Sequence, residues 1–248
     1  MSAENFMRNH NEEFRDNERK YAYEFDYILR RYMMRSLRPS FAAGRALELG
    51  CYEGEMTVLL LDEFEDVTVV EAATDLIARA KNRVHDRARF VCGRFEDVEL
   101  EEEFENIFLI HTLEHLDEPI EVLKRIQRWL TPNGKLFVVV PNANAASRRI
   151  AVKMGLISHN SAVTPAEHEH GHRITYGLDT LERDVRASGL EILCSGGVFF
   201  KPLANFQFDR LLETDIISDA YMEGCYALGM EYPDLCASIY VVCGLRRR

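Results

Sequence analysis

Three histidines, His168, His170 and His172, stand at alternate positions in the stretch "EHEHGHR". In an extended segment such side chains point to one side, where imidazoles can take a proton near neutral pH, orient a substrate or ligate a metal. Alternating histidines without a partner motif are a weak metal signal, so no metal is expected. Hydrogen bonding to loop backbone and acid–base or orienting work remain as the readings.

A second group of residues surrounds a turn. In "ALELGCYEGE", residues 46–55, a strand end carrying Glu48 runs into Gly50-Cys51-Tyr52-Glu53-Gly54. The middle glycine of a G-x-G-x-x-G turn lets the backbone approach a pyrophosphate, and here Tyr52 stands in its place, so the turn suits a diphosphate poorly. Glu48 repels phosphate but can pair with an ammonium. A further acid, Glu71, closes the next strand in "VTVVEA", where a carboxylate holds ribose hydroxyls in folds of this kind. One amino-acid ammonium, one ribose and no phosphate describe S-adenosylmethionine as the cofactor.

Short apolar runs at residues 45–49, 67–71, 89–91, 106–111 and 135–140 alternate with helical patterns, the βαβ rhythm of a parallel sheet covered on both faces. In "DEPIEVLKRIQRWL" Asp117 can cap a helix, Pro119 fits its first turn, and Ile120, Leu123, Ile126 and Leu130 form the buried stripe; "TPNG" then stops it. Two more strands are expected at 191–200 and 236–244, the last one antiparallel because its connection returns as a hairpin-like excursion. The expectation is a Rossmann-like α/β fold with a seven-stranded, mostly parallel sheet, helices on both faces and an antiparallel last strand. One domain is expected over 1–248: an N-terminal helical cap (1–41), a cofactor-binding core (42–141), an acceptor-side insertion (142–173) and a C-terminal half (174–248) with a helical insertion at about 201–235.

At 248 residues and 47% apolar content, the chain can bury one large core. A formal net charge of −11 disfavours a nucleic-acid partner. The acidic run 96–105 reads as a solvated loop, and "LRRR" as a solvated tail. No apolar run has the length of a membrane span or signal segment, so a cytoplasmic protein without a membrane partner is expected. The six cysteines form no C-x-x-C pair and read as reduced, mostly core residues.

Several segments together resemble the class I S-adenosylmethionine-dependent methyltransferases, of the small-molecule type that includes the ubiquinone-pathway enzymes. "LELGCYEG" is similar to that family's cofactor turn, "VTVVEAATDLIARAK" to its ribose-binding strand and helix, and "RFVCGRFEDVEL" to its adenine-side loop. "FENIFLIHTLEHLDEP", "LTPNGKLFVVVPN" and "GHRITYGLDTLERDVRASGLEI" are similar to later elements, so the resemblance covers about residues 42–200. Tyr52 stands in place of a family glycine, and Arg94 where the family often has an aspartate for the adenine amine. Beyond Phe200 the chain is more weakly similar to methyltransferases of bacterial surface-polysaccharide gene clusters.

The resemblance and the residues together imply cofactor contacts from Glu48, Gly50, Cys51, Tyr52, Gly54, Glu71, Ala72, Phe95, Glu96 and His111, the last at the end of the fourth strand. His172, matching the family's histidine, is expected to face the acceptor as base or orienting group, with His170 second. Tyr21, Tyr23, His115, Asn142, Asn144 and His168 are placed on the acceptor side; packing, turn formation or anchoring the turn beneath the cofactor are the plainer roles for the tyrosines, asparagines and His115. The expected reaction is methyl transfer to oxygen or nitrogen of a small polar acceptor, for example a sugar intermediate of surface-polysaccharide synthesis. The alternatives are methylation of a quinone or natural-product hydroxyl, a nicotinamide-dependent reductase or epimerase, and a non-catalytic S-adenosylmethionine-binding protein. Tyr52 and the lack of a Tyr-x-x-x-Lys pair oppose the reductase, and the polar, histidine-rich 142–173 connection opposes the binding protein. A homodimer is left open.

Overall fold

The computed structural model describes residues 23–246. Strands β1 (Ala46–Leu49), β2 (Val67–Glu71), β3 (Arg89–Cys92), β4 (Phe104–Ile110), β5 (Leu130–Pro141), β6 (Leu190–Phe200) and β7 (Cys236–Leu245) form one sheet in the order β3-β2-β1-β4-β5-β7-β6. The first five run parallel, and β7 lies antiparallel between β5 and β6. The hairpin-like return anticipated for the last strand is present, with Leu190 opposite Leu245 and Phe200 opposite Cys236.

β1 and β2 are buried along their whole length. That is why they read as near-continuous apolar runs: in a parallel sheet helices cover both faces. Alternate side chains feed two cores. Phe108, Phe137, Val139 and Val242 join one cluster, and Ile107, Leu109, Val138 and Val241 the other. On the first face pack α1 (Glu24–Leu37), α2 (Glu55–Leu61), α8 (Asn205–Leu212) and α9 (Asp219–Glu231); on the second, α4 (Pro119–Ile126) and α7 (Leu178–Ala187). The helix α3 (Thr74–Val84) follows β2, and α5 (Ala146–Lys153) and α6 (Pro165–Glu169) lie in the long connection after β5.

The N-terminal cap is a working part of the first core. Phe25, Leu29, Met33 and Leu37, one turn apart, are buried. Phe25 stacks on Phe208 with ring centroids 4.3 Å apart and meets Phe199 edge-on at 5.3 Å. Asp209 of α8 accepts the Glu24 and Phe25 amide N–H groups at 3.2 and 3.0 Å, capping α1 from the C-terminal insertion.

Two local expectations are corrected. The helix of "DEPIEVLKRIQRWL" ends at Ile126, a 3-10 turn spans Gln127–Trp129, and Leu130 opens β5 opposite Phe104. "TPNG" therefore does not stop a helix; it lies inside β5, where the register slips between Phe104 and Asn106. Asp117 is exposed and does not cap α4, whose N-cap is Glu118 without a side-chain bond; Asp117 instead pairs with Arg173 at 3.3 Å.

Candidate active site

Because β1 is flanked by β2 on one side and β4 on the other, the chain reverses direction across the sheet at this point. Crevices at such carboxyl ends are where open α/β sheets bind ligands. A cavity of about 460 Å³ opens there, lined among others by Gly50, Cys51, Tyr52, Glu71, Ala72, Phe95 and His111 around the strand ends, by Tyr23 at the N-cap of α1 and by Asp26 and Arg30 within it. No helix among the described residues is long and apolar enough to cross a membrane.

Glu71 grips the turn beside it. Its Oε2 accepts the Cys51 N–H at 3.2 Å and its Oε1 the Ala73 N–H at 3.0 Å. Burial raises its pKa above the ordinary carboxylate value, with these backbone N–H bonds pulling the other way. Gly50 adopts φ +82°, and a Cβ there would sit 2.8 Å from Thr112 Oγ1, so glycine keeps β1 and β4 close at the crevice floor. Tyr52 and His111, with φ 50° and 49°, turn the chain sharply at the two strand ends.

Glu48 is almost fully buried. Thr57 Oγ1 donates to its Oε2 at 2.6 Å, whereas Oε1 has no partner among the described residues. Burial pushes its pKa up to about 8, against the Thr57 hydrogen bond and the nearby Arg30 charge. Arg30, also on the cavity wall, leaves Nη1 buried without an acceptor among the same residues. A carboxyl oxygen and a guanidinium nitrogen are thus each buried without a partner among the described residues, and both residues line this crevice.

The same cavity is also lined by imidazoles. His111 Nε2 meets Ser238 Oγ at 2.9 Å, and burial pushes its pKa well down, with the Arg30 charge acting the same way. Glu114, in the 3-10 turn Leu113–His115, is buried, and burial takes its carboxyl up to about 8. Its carbonyl accepts the Arg173 and Ile174 N–H groups at 2.8 and 3.3 Å, which ties the returning insertion to this turn. His172 is thereby placed edge-to-face on His115, centroids 4.6 Å apart. Burial lowers the His172 pKa to about 4, so its ring is neutral at neutral pH. Arg148 and Glu167 form a half-buried ion pair that braces the insertion from within; the Glu167 carbonyl accepts the His172 N–H at 2.9 Å.

Lys201 completes the wall. Its Nζ donates to Asn205 Oδ1 at 2.7 Å, and Asn205 Nδ2 donates to Asp26 Oδ1 at 2.7 Å. Burial lowers the Lys201 pKa, with the Asp26 charge opposing.

Of the residues expected from sequence, Glu48, Gly50, Cys51, Tyr52, Glu71, Ala72, Phe95, His111, Tyr23, His115, His170 and His172 meet on this cavity. Others lie elsewhere. Gly54 caps α2 and would bring a Cβ within 3.1 Å of Ala80, a helix-packing position. Glu96 turns to Arg94 at 3.4 Å. The Asn142 amide donates to the Asp234 and Cys236 carbonyls, both at 2.9 Å, and its Oδ1 accepts the Asn144 N–H, so it is a buried tie rather than an acceptor contact. Asn144 Oδ1 accepts from Asn160, and His168 is exposed on α6. Tyr21 lies outside the described residues. Sequence reasoning missed Asp26, Arg30, Glu114, Glu167, Lys201, Asn205 and Ser238. Only Glu114 carried a local signal, an acid beside His115 and between two leucines in "TLEHL".

Comparison with known proteins agrees with this fold. The family model described as "Methyltransferase domain" matches residues 21–195. A malonyl-[acyl-carrier protein] O-methyltransferase of Priestia megaterium is 28% identical over 46% of this chain and 45% of its own length. The chain thus spans about half of that relative. A ubiquinone biosynthesis O-methyltransferase of Coxiella burnetii is 25% identical over 66% of this chain and 70% of its own length. An S-adenosylmethionine-dependent methyltransferase of Thermotoga maritima superposes with TM-score 0.61 at 19% identity, covering 90% of this chain and 94% of that one. A glycopeptide N-methyltransferase complexed with S-adenosylmethionine gives 0.58 at 18% identity over 87% and 86%. At these identities the structural likeness shows the fold. The chain belongs to the methyltransferase-domain family, and the solved structures that share its fold include S-adenosylmethionine-dependent enzymes. The residues present fit that cofactor: Glu48 Oε1 and Arg30 Nη1 are buried without partners among the described residues, and both residues line the cavity.

Proposed function

We propose that the chain transfers a methyl group to an oxygen or nitrogen of a small polar acceptor. The observation that carries this reading is the wall of His111, Glu114, His115, His172 and Lys201 facing the crevice. A sugar intermediate of surface-polysaccharide synthesis is one acceptor of this kind. The quinone-precursor reading rests on the ubiquinone biosynthesis relative and on Leu29, Met33 and Leu116 along the same cavity.

S-adenosylmethionine supplies a sulfonium-activated methyl group, so the protein's work is positioning. Glu71 would hold the ribose hydroxyls, Glu48 the ammonium and Arg30 the carboxylate; Phe95 and Leu76 offer apolar surface to the base. His172, neutral at working pH, presents a ring nitrogen with a free lone pair to the cavity. Its low pKa makes it an orienting group more than a strong base. Single-turnover transfer from labelled cofactor across nucleotide sugars, sugar phosphates and quinone precursors tests the reading. Methylation of the polar members is expected; transfer confined to hydrophobic phenols contradicts it.

A further inference from the structure

We propose that Glu114, His115 and His172 bind one divalent transition-metal ion of the zinc class at the acceptor end of the cavity. One ring nitrogen from each imidazole and one Glu114 oxygen lie within 4.8 Å of one another, and Glu114 Oε1 is 4.0 Å from His115 Nε2. Glu114 is 1% exposed, and neither of its carboxylate oxygens accepts a hydrogen bond among the described residues. Carboxylates that deep are normally paired, hydrogen-bonded or coordinated to a metal. A cation between the three side chains supplies the missing partner.

The donor set selects the metal. Two imidazoles and one carboxylate suit zinc, cobalt or manganese, whereas magnesium and calcium favour all-oxygen shells. Ion–donor distances of about 2.0–2.2 Å put tetrahedral donors about 3.3–3.6 Å apart, so the three groups draw in by roughly an ångström on loading. The backbone makes that small change available: the Arg173 and Ile174 N–H groups already dock the His172 segment onto the Glu114 carbonyl. The alternating histidines of the sequence are a poor metal motif because the partner acid lies elsewhere, in "LEH".

All three donors line the cavity, which leaves a coordination position open toward the acceptor. The ion's role rests on the methyltransferase reading. An acceptor hydroxyl coordinated there loses its proton to water more readily. The resulting oxygen forms the O–CH3 bond as the CH3–S bond breaks, and the electron pair of that bond stays on sulfur.

The test is titration of the chelator-stripped full chain with Co2+ and with Zn2+, followed by calorimetry and the visible absorption of Co2+. One equivalent is expected to bind with a d–d band of a low-coordinate site. Glu114→Gln and His172→Ala should each weaken binding by at least about tenfold, and His159→Ala, at an exposed histidine, should not. If Glu114→Gln does not fold, His115→Ala and His172→Ala decide. Binding of S-adenosylhomocysteine by the metal-free protein is read in parallel. Its loss counts against the cofactor reading and leaves the metal site standing. No stoichiometric Co2+ binding by the wild type, or undiminished binding by ligand variants that still take up S-adenosylhomocysteine, overturns the proposal.

Discussion

Replacing Glu48 by glutamine should make the ligand-free protein more stable and the liganded protein weaker. The carboxyl is buried and its pKa rises from 4.5 to about 8. Between those values the folded state holds a proton that the unfolded chain has released, so stability falls as pH rises through this window. At about 1.36 kcal/mol for each pH unit above 4.5, the loss accumulated by pH 7 is about 3 kcal/mol. Glutamine keeps an acceptor for Thr57 Oγ1 and carries no ionisation to suppress. For a chain of this size, about 2–4 °C per kcal/mol converts the difference to a Tm gain of roughly 6–12 °C near pH 7, vanishing near pH 4. The opposite sign is expected on binding. Pairing with a ligand ammonium draws the proton off Glu48, so wild-type affinity for S-adenosylhomocysteine should rise by up to about tenfold per pH unit below pH 8. The glutamine variant should bind more weakly and with a flatter profile. Thermal melts from pH 4 to 8.5 and calorimetry in buffers of different ionisation enthalpy read both effects. Equal Tm for the two proteins at pH 7–8, or unchanged affinity in the variant, refutes the reasoning.

Glu71→Ala should weaken S-adenosylhomocysteine binding about 10- to 150-fold, the worth of a charge-assisted hydrogen-bond pair at about 1.5–3 kcal/mol, read by the same calorimetry. His172→Ala should lower turnover with cofactor affinity nearly unchanged. Because the His172 pKa is about 4, the rate should show no inflection from this ring between pH 5.5 and 8 in a stopped assay. The same depressed pKa means that its contribution to stability, full above about 6.5, is lost as pH falls toward 4. Phe25→Ala should cost about 3–5 kcal/mol in denaturant melts, since the ring stacks on Phe208 and meets Phe199. A loss under 1 kcal/mol would show that the cap helix does not belong to the core.

The parallel half of the sheet was legible because burial on both faces leaves Val67–Glu71 and its neighbours as apolar runs between helical patterns. The antiparallel β7 followed from connectivity alone. Leu130 misled because a buried leucine fits the last turn of a helix stripe as well as the first residue of a strand, and only its pairing with Phe104 decides. Among the cavity-lining residues, Gly50, Glu71 and His172 were readable because local patterns carry them. Arg30, Asp26 and Lys201 were not. Each is a charged residue of the kind normally solvated, and they become cavity groups only when α1 and the end of β6 fold onto the same crevice. Asn142 and Asn144 stood at the right edge of the sheet, but the carbonyls of Asp234 and Cys236 claim the Asn142 amide, and these partners are far away in sequence.

The central claim is that this crevice holds the zwitterionic nucleoside S-adenosylmethionine and not a dinucleotide. Calorimetric titration of the full chain with S-adenosylmethionine, S-adenosylhomocysteine, NAD and NADP tests it directly. Saturable one-to-one binding of both sulfur nucleosides, without measurable heat from either dinucleotide, is the expected result; tighter binding of NAD or NADP would contradict the account.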